Sequence, residues 1–467
     1  MRDTDDVSPS DQAQGHRCKP PHLYSAPEAT LACRKAMKAC TGLEQVIVGF
    51  LPGWMDKAAS TNEVYREFAW PLWYFHAPPS TDTSKMKNSI LKIPLNRSRS
   101  QNIDALRFLL AIWVVITHLA PWIVAIQGSA AIPESLIWLT RELESLFQGS
   151  GETHPAVLGF IVLSGYCIHR NGLRSHQDGL FSYAVRRFFR IYPVFLIAAL
   201  FGFLMFYIAS QISPDSVTSV SGTAELSFNN MLRKLLTTEV IYPFDYYPSI
   251  QGNGPLQTVA AEMWLYAIYP LALLVIGKLS DRSWWVVVII CWIASITINS
   301  FIPEWRGWSF NASLIGFIPY WWLGLKFTDQ NFCRFMNRIV ILPVIIWLLI
   351  TLFEKDLQQY GQLFAAVRQL MFALCFASLI SILDKKHSVS IKPLSAVGSA
   401  GYSIYAFHAP IVYVMVLCGA PWWLIGLSAV AIGVAAFHLI EKPFIAVGKR
   451  LSTSRTTLLQ SRSSDPV

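Results

Sequence analysis

One arginine and one histidine interrupt an otherwise apolar run, NIDALRFLLAIWVVITHLAPW, from Asn102 to Trp122. Arg107 and His118 are eleven positions apart, about three helical turns plus 20°, which puts both on nearly one face of a helix and roughly 16 Å apart along its axis. An ionisable group at that depth is costly in lipid, so it must face a polar cavity or a partner. Histidine, with an ordinary pKa of about 6.5, suits proton transfer near neutrality. A histidine simply satisfied by a neighbouring helix fits the same stretch. A second pair, Arg187 and Arg190 in FSYAVRRFFRIYP, is three apart on one face of a helix end. It fits either topology anchors at the inner leaflet or a phosphate clamp, to which guanidinium forks are well matched.

Three further polar groups lie in apolar surroundings: Glu262 in QTVAAEMWLYAIYP, His408 in GYSIYAFHAPIV and Glu441 in HLIEKPF. Glu441 beside Lys442 at the membrane edge fits a plain surface pair. Glu262 and His408 sit deeper, and together with His118 they point to one polar cavity.

The elements that position these groups follow from composition. Of 467 residues, 53% are hydrophobic and 14% charged, whereas soluble domains carry about 25% charged residues. A mean hydropathy of +0.39 with 17 Trp and 28 Phe fits an all-α polytopic membrane protein with aromatic belts. The net charge of +9 suits nucleic acid at first sight. However, the basic residues fall in short clusters between apolar runs, as membrane orientation requires, so no nucleic-acid partner is expected. The eight cysteines form no CxxC pair. Cys167, Cys291, Cys375 and Cys418 lie in apolar runs and read as small hydrophobes, so neither disulfides nor a metal site is expected.

Residues 1–85 mix Pro, Ser, Thr and charge, without a run able to cross a bilayer. VIVGFL ends at Pro52 and Gly53, and no cleavable signal peptide is visible. Met86 opens a basic leader, 86–101, that reads as a translation start, leaving 1–85 as a disordered or mis-called extension. A membrane domain is expected over 102–447 and a cytoplasmic tail over 448–467. About ten spans of near 20 residues are expected around a central cavity: Asp104–Ile126, Pro155–Ile168, Ile191–Ile212, Leu256–Gly277, Trp284–Ile302, Phe310–Phe327, Ile339–Phe353, Leu363–Leu383, Ser399–Cys418 and Pro421–Ile440. The second is short. With the N-terminus inside, the basic clusters, including those of the 170–190 loop, all fall inside. The other side keeps only Arg141, Arg233, Lys234, Arg306, Lys355 and Arg368. Both termini are therefore expected in the cytoplasm. The long outer loop, Ser213–Pro255, fits a carbohydrate site, a lid or a connector.

The order of these motifs resembles the acyltransferase-3 family of integral membrane O-acyltransferases, which includes bacterial O-antigen and exopolysaccharide acetylases. The resemblance spans residues 102–447. Its elements are Arg107 and His118 as an Arg-x10-His signature, FIVLSGYCIHR, Arg187 and Arg190 in RRFFRIYP, Glu262 in AEMWLYAIYP, GYSIYAFHAP and IEKPF. The QTVAAE run departs from the family's Trp-Ser-Leu-like stretch before the glutamate, and no GxSxG elbow or fused hydrolase-like domain follows the last span. The resemblance implies transfer of an acyl group, usually acetyl, from cytoplasmic acyl-CoA to a hydroxyl of a sugar, glycan or lipid-linked saccharide, in a bacterial inner (plasma) membrane. Arg187 and Arg190 are then expected to hold the CoA phosphates, with Arg107 at the same entrance. His118, in register with that arginine face, is expected to be the general base, with Glu262 or Asp104 orienting it and His408 as a second catalytic candidate.

A transporter or flippase for a lipid-linked glycan or proton-coupled solute is the main alternative, because buried His and Glu also build proton relays. No internal repeat relates the two halves of the chain, a feature many transporters show. A sensor or scaffold would not need the Arg-to-His register.

Overall fold

The computed structural model describes residues 101–147, 153–221, 227–240, 253–276, 281–301, 313–353, 361–385, 394 and 397–463. The extension 1–85 and nearly all of the leader 86–101 lie outside them. The described residues are helical and contain no strand. In chain order the helices are α1 (Gln101–Gln127), α2 (Glu134–Phe147), α3 (Pro155–Ile212), α4 (Pro214–Ser221), α5 (Phe228–Leu235), α6 (Leu256–Ile276), α7 (Asp281–Phe301), α8 (Leu314–Lys326), α9 (Gln330–Arg338), α10 (Ile341–Leu352), α11 (Gly361–Lys385), α12 (Gly401–Leu417), α13 (Trp422–Ala436) and α14 (Lys442–Ser463). A π-helical turn, Phe437–Glu441, joins the last two.

Among the described residues, four helical stretches are long and apolar enough to cross a membrane: Gln101–Gln127, Leu180–Ile212, Leu363–Asp384 and Trp422–Ser452. The bent pair α9–α10 makes a fifth if it is one span. Large apolar side chains such as Leu200, Leu204, Ile289, Ile290, Ile293 and Leu427 stay exposed on these and neighbouring helices. That surface suits hydrocarbon rather than water.

The connection expected as a loop at 170–190 is helical throughout, because α3 runs from Pro155 to Ile212. It starts where Pro155 occupies the first turn and His154 Nδ1 accepts from the Ala156 N–H at 3.2 Å. This helix is not straight. Ser164 Oγ donates to the Tyr266 hydroxyl at 2.9 Å, and the Tyr183 hydroxyl donates to the Tyr266 carbonyl at 3.0 Å. On a straight helix Ser164 and Tyr183 would stand about 28 Å apart, further than one tyrosine bridges. The helix therefore bends between its two apolar segments, Pro155–Arg170 and Leu180–Ile212.

Glycine permits the closest approach. A Cβ at Gly165 of α3 would overlap the Trp321 carbonyl of α8, and one at Gly324 of α8 would overlap the Val162 carbonyl of α3. Paired small residues of this kind let helix backbones touch where lipid offers no hydrophobic drive. Just after this approach, Asp384 of α11 accepts from the Tyr166 hydroxyl at 2.9 Å and pairs with Arg170 at 2.9 Å.

Helices α1 and α12 run parallel, as three contacts in step reveal. Gly401 lies against the backbone of Arg107, His118 meets His408, and Gln127 Nε2 donates to the Val416 carbonyl at 2.7 Å. Beyond α12, Gly419 takes φ +70°, a left-handed turn that glycine accepts without strain and that leads the chain into α13. The connection leading into α6 is pinned to this frame. Lys234, fully buried, donates to the Asn253 carbonyl at 2.8 Å, and Asn253 Nδ2 donates to the Ala406 carbonyl of α12 at 2.7 Å.

Candidate active site

A cavity with about 860 Å³ of empty space, its open mouth included, is lined by residues from six parts of the chain. Helix α1 supplies Arg107. The first segment of α3 supplies Phe160, Ser164 and Cys167, and the second supplies Arg187 and Arg190. Helix α6 supplies Thr258, Glu262 and Tyr266. Tyr402 and Tyr405 come from α12, and Glu441 from the π turn. The sequence-expected residues Arg107, Arg187, Arg190 and Glu262 thus meet on one wall-to-wall site.

Their partners differ. Arg107 is held by Asp104 at 2.7 Å and also donates to Cys167 Sγ at 3.2 Å. Arg187 packs over the rings of Tyr266 and Tyr183, with its guanidinium carbon 5.2 and 5.8 Å from their centroids. Among the described residues neither Arg187 nor Arg190 makes an ion pair. Two guanidinium groups therefore keep donors available to an anion in the cavity. Glu262 accepts a hydrogen bond from the Tyr266 hydroxyl, so one tyrosine links Ser164, Glu262 and the face under Arg187.

The histidines form a separate pair beside this cavity. His118 Nδ1 lies 2.8 Å from His408 Nε2, with the rings 5.0 Å apart and 17° from parallel. Trp122, one turn on from His118, stacks against it at 5.6 Å and meets Tyr413 edge-on at 5.2 Å. Tyr405 connects the two regions, since it lines the cavity while its carbonyl oxygen is 2.7 Å from His408 Nδ1.

Three expectations need correction here. Asp104 and Glu262 do not orient His118, because Asp104 is held by Arg107 and Glu262 by Tyr266. The side chain within hydrogen-bond distance of His118 is His408. Glu441 is no surface partner of Lys442, for it is 1% exposed, accepts from Ser403 Oγ at 2.7 Å and faces the cavity. A π turn inserts a residue into the helical register, and here it lies at the point where this carboxylate is buried. Cys167, read from sequence as a small hydrophobe, is a cavity residue and hydrogen-bond acceptor. Nothing in its apolar run GYCIH signals that, because the partner is sixty positions away.

The family model described as an acyltransferase domain, that of acyltransferase-3, matches residues 100–440. No curated protein and no solved structure matches the chain. The match covers the histidine pair, every cavity residue but Glu441, and the apolar helices fit to cross a membrane up to residue 440, within the last of them, Trp422–Ser452. The chain belongs to the acyltransferase-3 family of acyltransferases.

Proposed function

We propose that this protein is a membrane O-acyltransferase that moves an acyl group, acetyl in the simplest case, from cytoplasmic acyl-CoA to a hydroxyl of a sugar or glycan. The observation that carries this reading is the cavity itself, where Arg187 and Arg190 have no ion pair among the described residues while Arg107 stands with them. A donor rich in phosphate fits that donor set. Its phosphates would be held by Arg187 and Arg190, with Arg107, already engaged by Asp104, lining the entrance. When bound, the donor supplies an activated thioester carbonyl.

A sugar hydroxyl is a poor nucleophile at neutral pH, so its attack needs a base that takes the proton as the bond forms. His118 is that base. It lies roughly 16 Å along α1 from Arg107, a separation that suits an extended pantetheine arm reaching inward from the phosphates. Ten spans with both termini in the cytoplasm of a bacterial inner membrane complete the arrangement, and they place the arginines at the donor's side. Glu262 and Glu441 hold the polar wall of the cavity through Tyr266 and Ser403.

The test uses membranes from the parent strain and from its deletion strain, incubated with CoA carrying a labelled acetyl group. Alkali-labile label in the surface glycan, present only with the protein, is the expected result, and mass spectrometry of that glycan locates the ester. A glycan identical in the two strains, with its amount on the outer surface reduced in the deletion strain, would instead mark a transporter.

A further inference from the structure

The histidine pair fixes its own protons. His408 is fully buried, and its Nδ1 lies 2.7 Å from the Tyr405 carbonyl oxygen. A carbonyl oxygen only accepts, so His408 Nδ1 carries a proton and donates it. In neutral imidazole the other nitrogen is then a lone pair. That nitrogen, His408 Nε2, is 2.8 Å from His118 Nδ1. His118 Nδ1 must therefore be the donor of this bond, which leaves the lone pair of His118 on Nε2. Among the described residues nothing hydrogen-bonds to that atom, and His118 is only half-buried.

We propose that His408 is a positioning residue that locks His118 in its Nδ1–H tautomer, so that the base atom is Nε2 and points away from the pair. This rests on the reading of His118 as base. The acceptor hydroxyl oxygen forms its bond to the acyl carbon while His118 Nε2 takes the hydroxyl proton. The imidazolium so formed keeps its Nδ1–H on His408, where the bond becomes charge-assisted and stronger. As the carbon–sulfur bond breaks, His118 returns the Nε2 proton to the departing sulfur, giving ester and free thiol and restoring neutral His118. His408 does for this base what a carboxylate does in many hydrolase triads, without burying a charge. The Tyr405 carbonyl ties that arrangement to a residue of the cavity wall.

Helix register is what makes the pair possible. Because α1 and α12 run parallel, His118 and His408 keep step with the Arg107–Gly401 contact below and the Gln127–Val416 contact above. Asn253 and the Pro255 carbonyl, which accepts from the Tyr405 hydroxyl at 3.1 Å, hold the same turn of α12 from the outside.

The experiment combines nitrogen NMR of ¹⁵N-histidine-labelled protein in bilayers with kinetics of acyl transfer. The His118 signals are identified by their loss in His118→Gln. The expected result is a His118 protonated at Nδ1 in the parent. His408→Phe should remove that signature and lower turnover by about 100-fold or more with the donor KM unchanged. His408→Gln, whose amide can accept from His118 and donate to the Tyr405 carbonyl, should restore at least about a tenth of the parent turnover. If His408→Phe does not fold, the parent spectrum and His408→Gln still decide. A parent His118 protonated at Nε2, or a folded His408→Phe with turnover within about threefold of the parent, overturns the proposal. Full activity in His118→Ala would overturn the base reading instead, while leaving the tautomer measurement intact.

Discussion

Replacing Arg187 by alanine should uncouple donor binding from folding, and the structure says why. The guanidinium rests on two aromatic rings, at 5.2 and 5.8 Å, and makes no ion pair among the described residues. Its removal leaves no carboxylate stranded. The fold loses two cation–π contacts, about 0.5–1 kcal/mol each at such sites. A bound phosphate loses a charge-assisted hydrogen bond, worth about 1.5–3 kcal/mol, which is about 10- to 150-fold in affinity. Arg190→Ala should cost a similar factor, and the double variant at least about 100-fold, with the two effects not strictly additive because one ligand joins them. Lysine at either position should rescue only in part, since it brings charge without the planar fork. Equilibrium binding of labelled acetyl-CoA to protein in nanodiscs reads these losses, and gel filtration confirms the fold. A folded double variant that binds within about twofold of the parent would return both arginines to the role of membrane anchors.

Arg107 should behave differently, because Asp104 beside it is 5% exposed. Arg107→Ala removes the guanidinium that this buried carboxylate pairs with and should destabilise by about 3–5 kcal/mol, and adding Asp104→Asn should recover much of the loss in thermal unfolding. Gly324→Val pushes a side chain into the Val162 carbonyl, so unfolding at least about 1–3 kcal/mol easier is expected in the same assay. Glu441→Gln keeps an acceptor for Ser403 while removing a negative charge from the donor cavity; donor binding should tighten by about 1 kcal/mol, roughly fivefold, and weakening would contradict the cavity assignment. Reporter fusions should place residues 186–190 inside and residues 214–221 outside; the reverse would remove the donor site from the cytoplasmic face.

Much of the site was legible because charge in an apolar run stands out. Arg107, Arg187, Arg190 and Glu262 could be picked from their surroundings, and the structure brings all four to one cavity. Helix period alone placed Arg107 and His118 on one face. The partner of His118 was not legible, since it depends on the parallel register of α1 and α12 across 290 positions of chain. Asp104 and Glu262 seemed fit to orient His118 by type, yet each has a nearer claim, Asp104 from Arg107 three positions on and Glu262 from Tyr266 four positions on. Glu441 was hidden by its neighbour Lys442, which offered an easy surface pairing, and by a π turn that no local pattern announces. The helical continuity of α3 was equally hidden, because the polar stretch between its apolar segments reads as a loop by composition.

The most direct test of acyl transfer with His118 as base is turnover of His118→Ala and His118→Gln in bilayers, with labelled acetyl-CoA and the glycan acceptor supplied from parent membranes. Both variants should bind the donor as the parent does and lose transfer by at least about 100-fold, the usual worth of a positioned base. Stable expression with transfer near the parent rate would contradict the account and leave α1 as only a wall of the cavity.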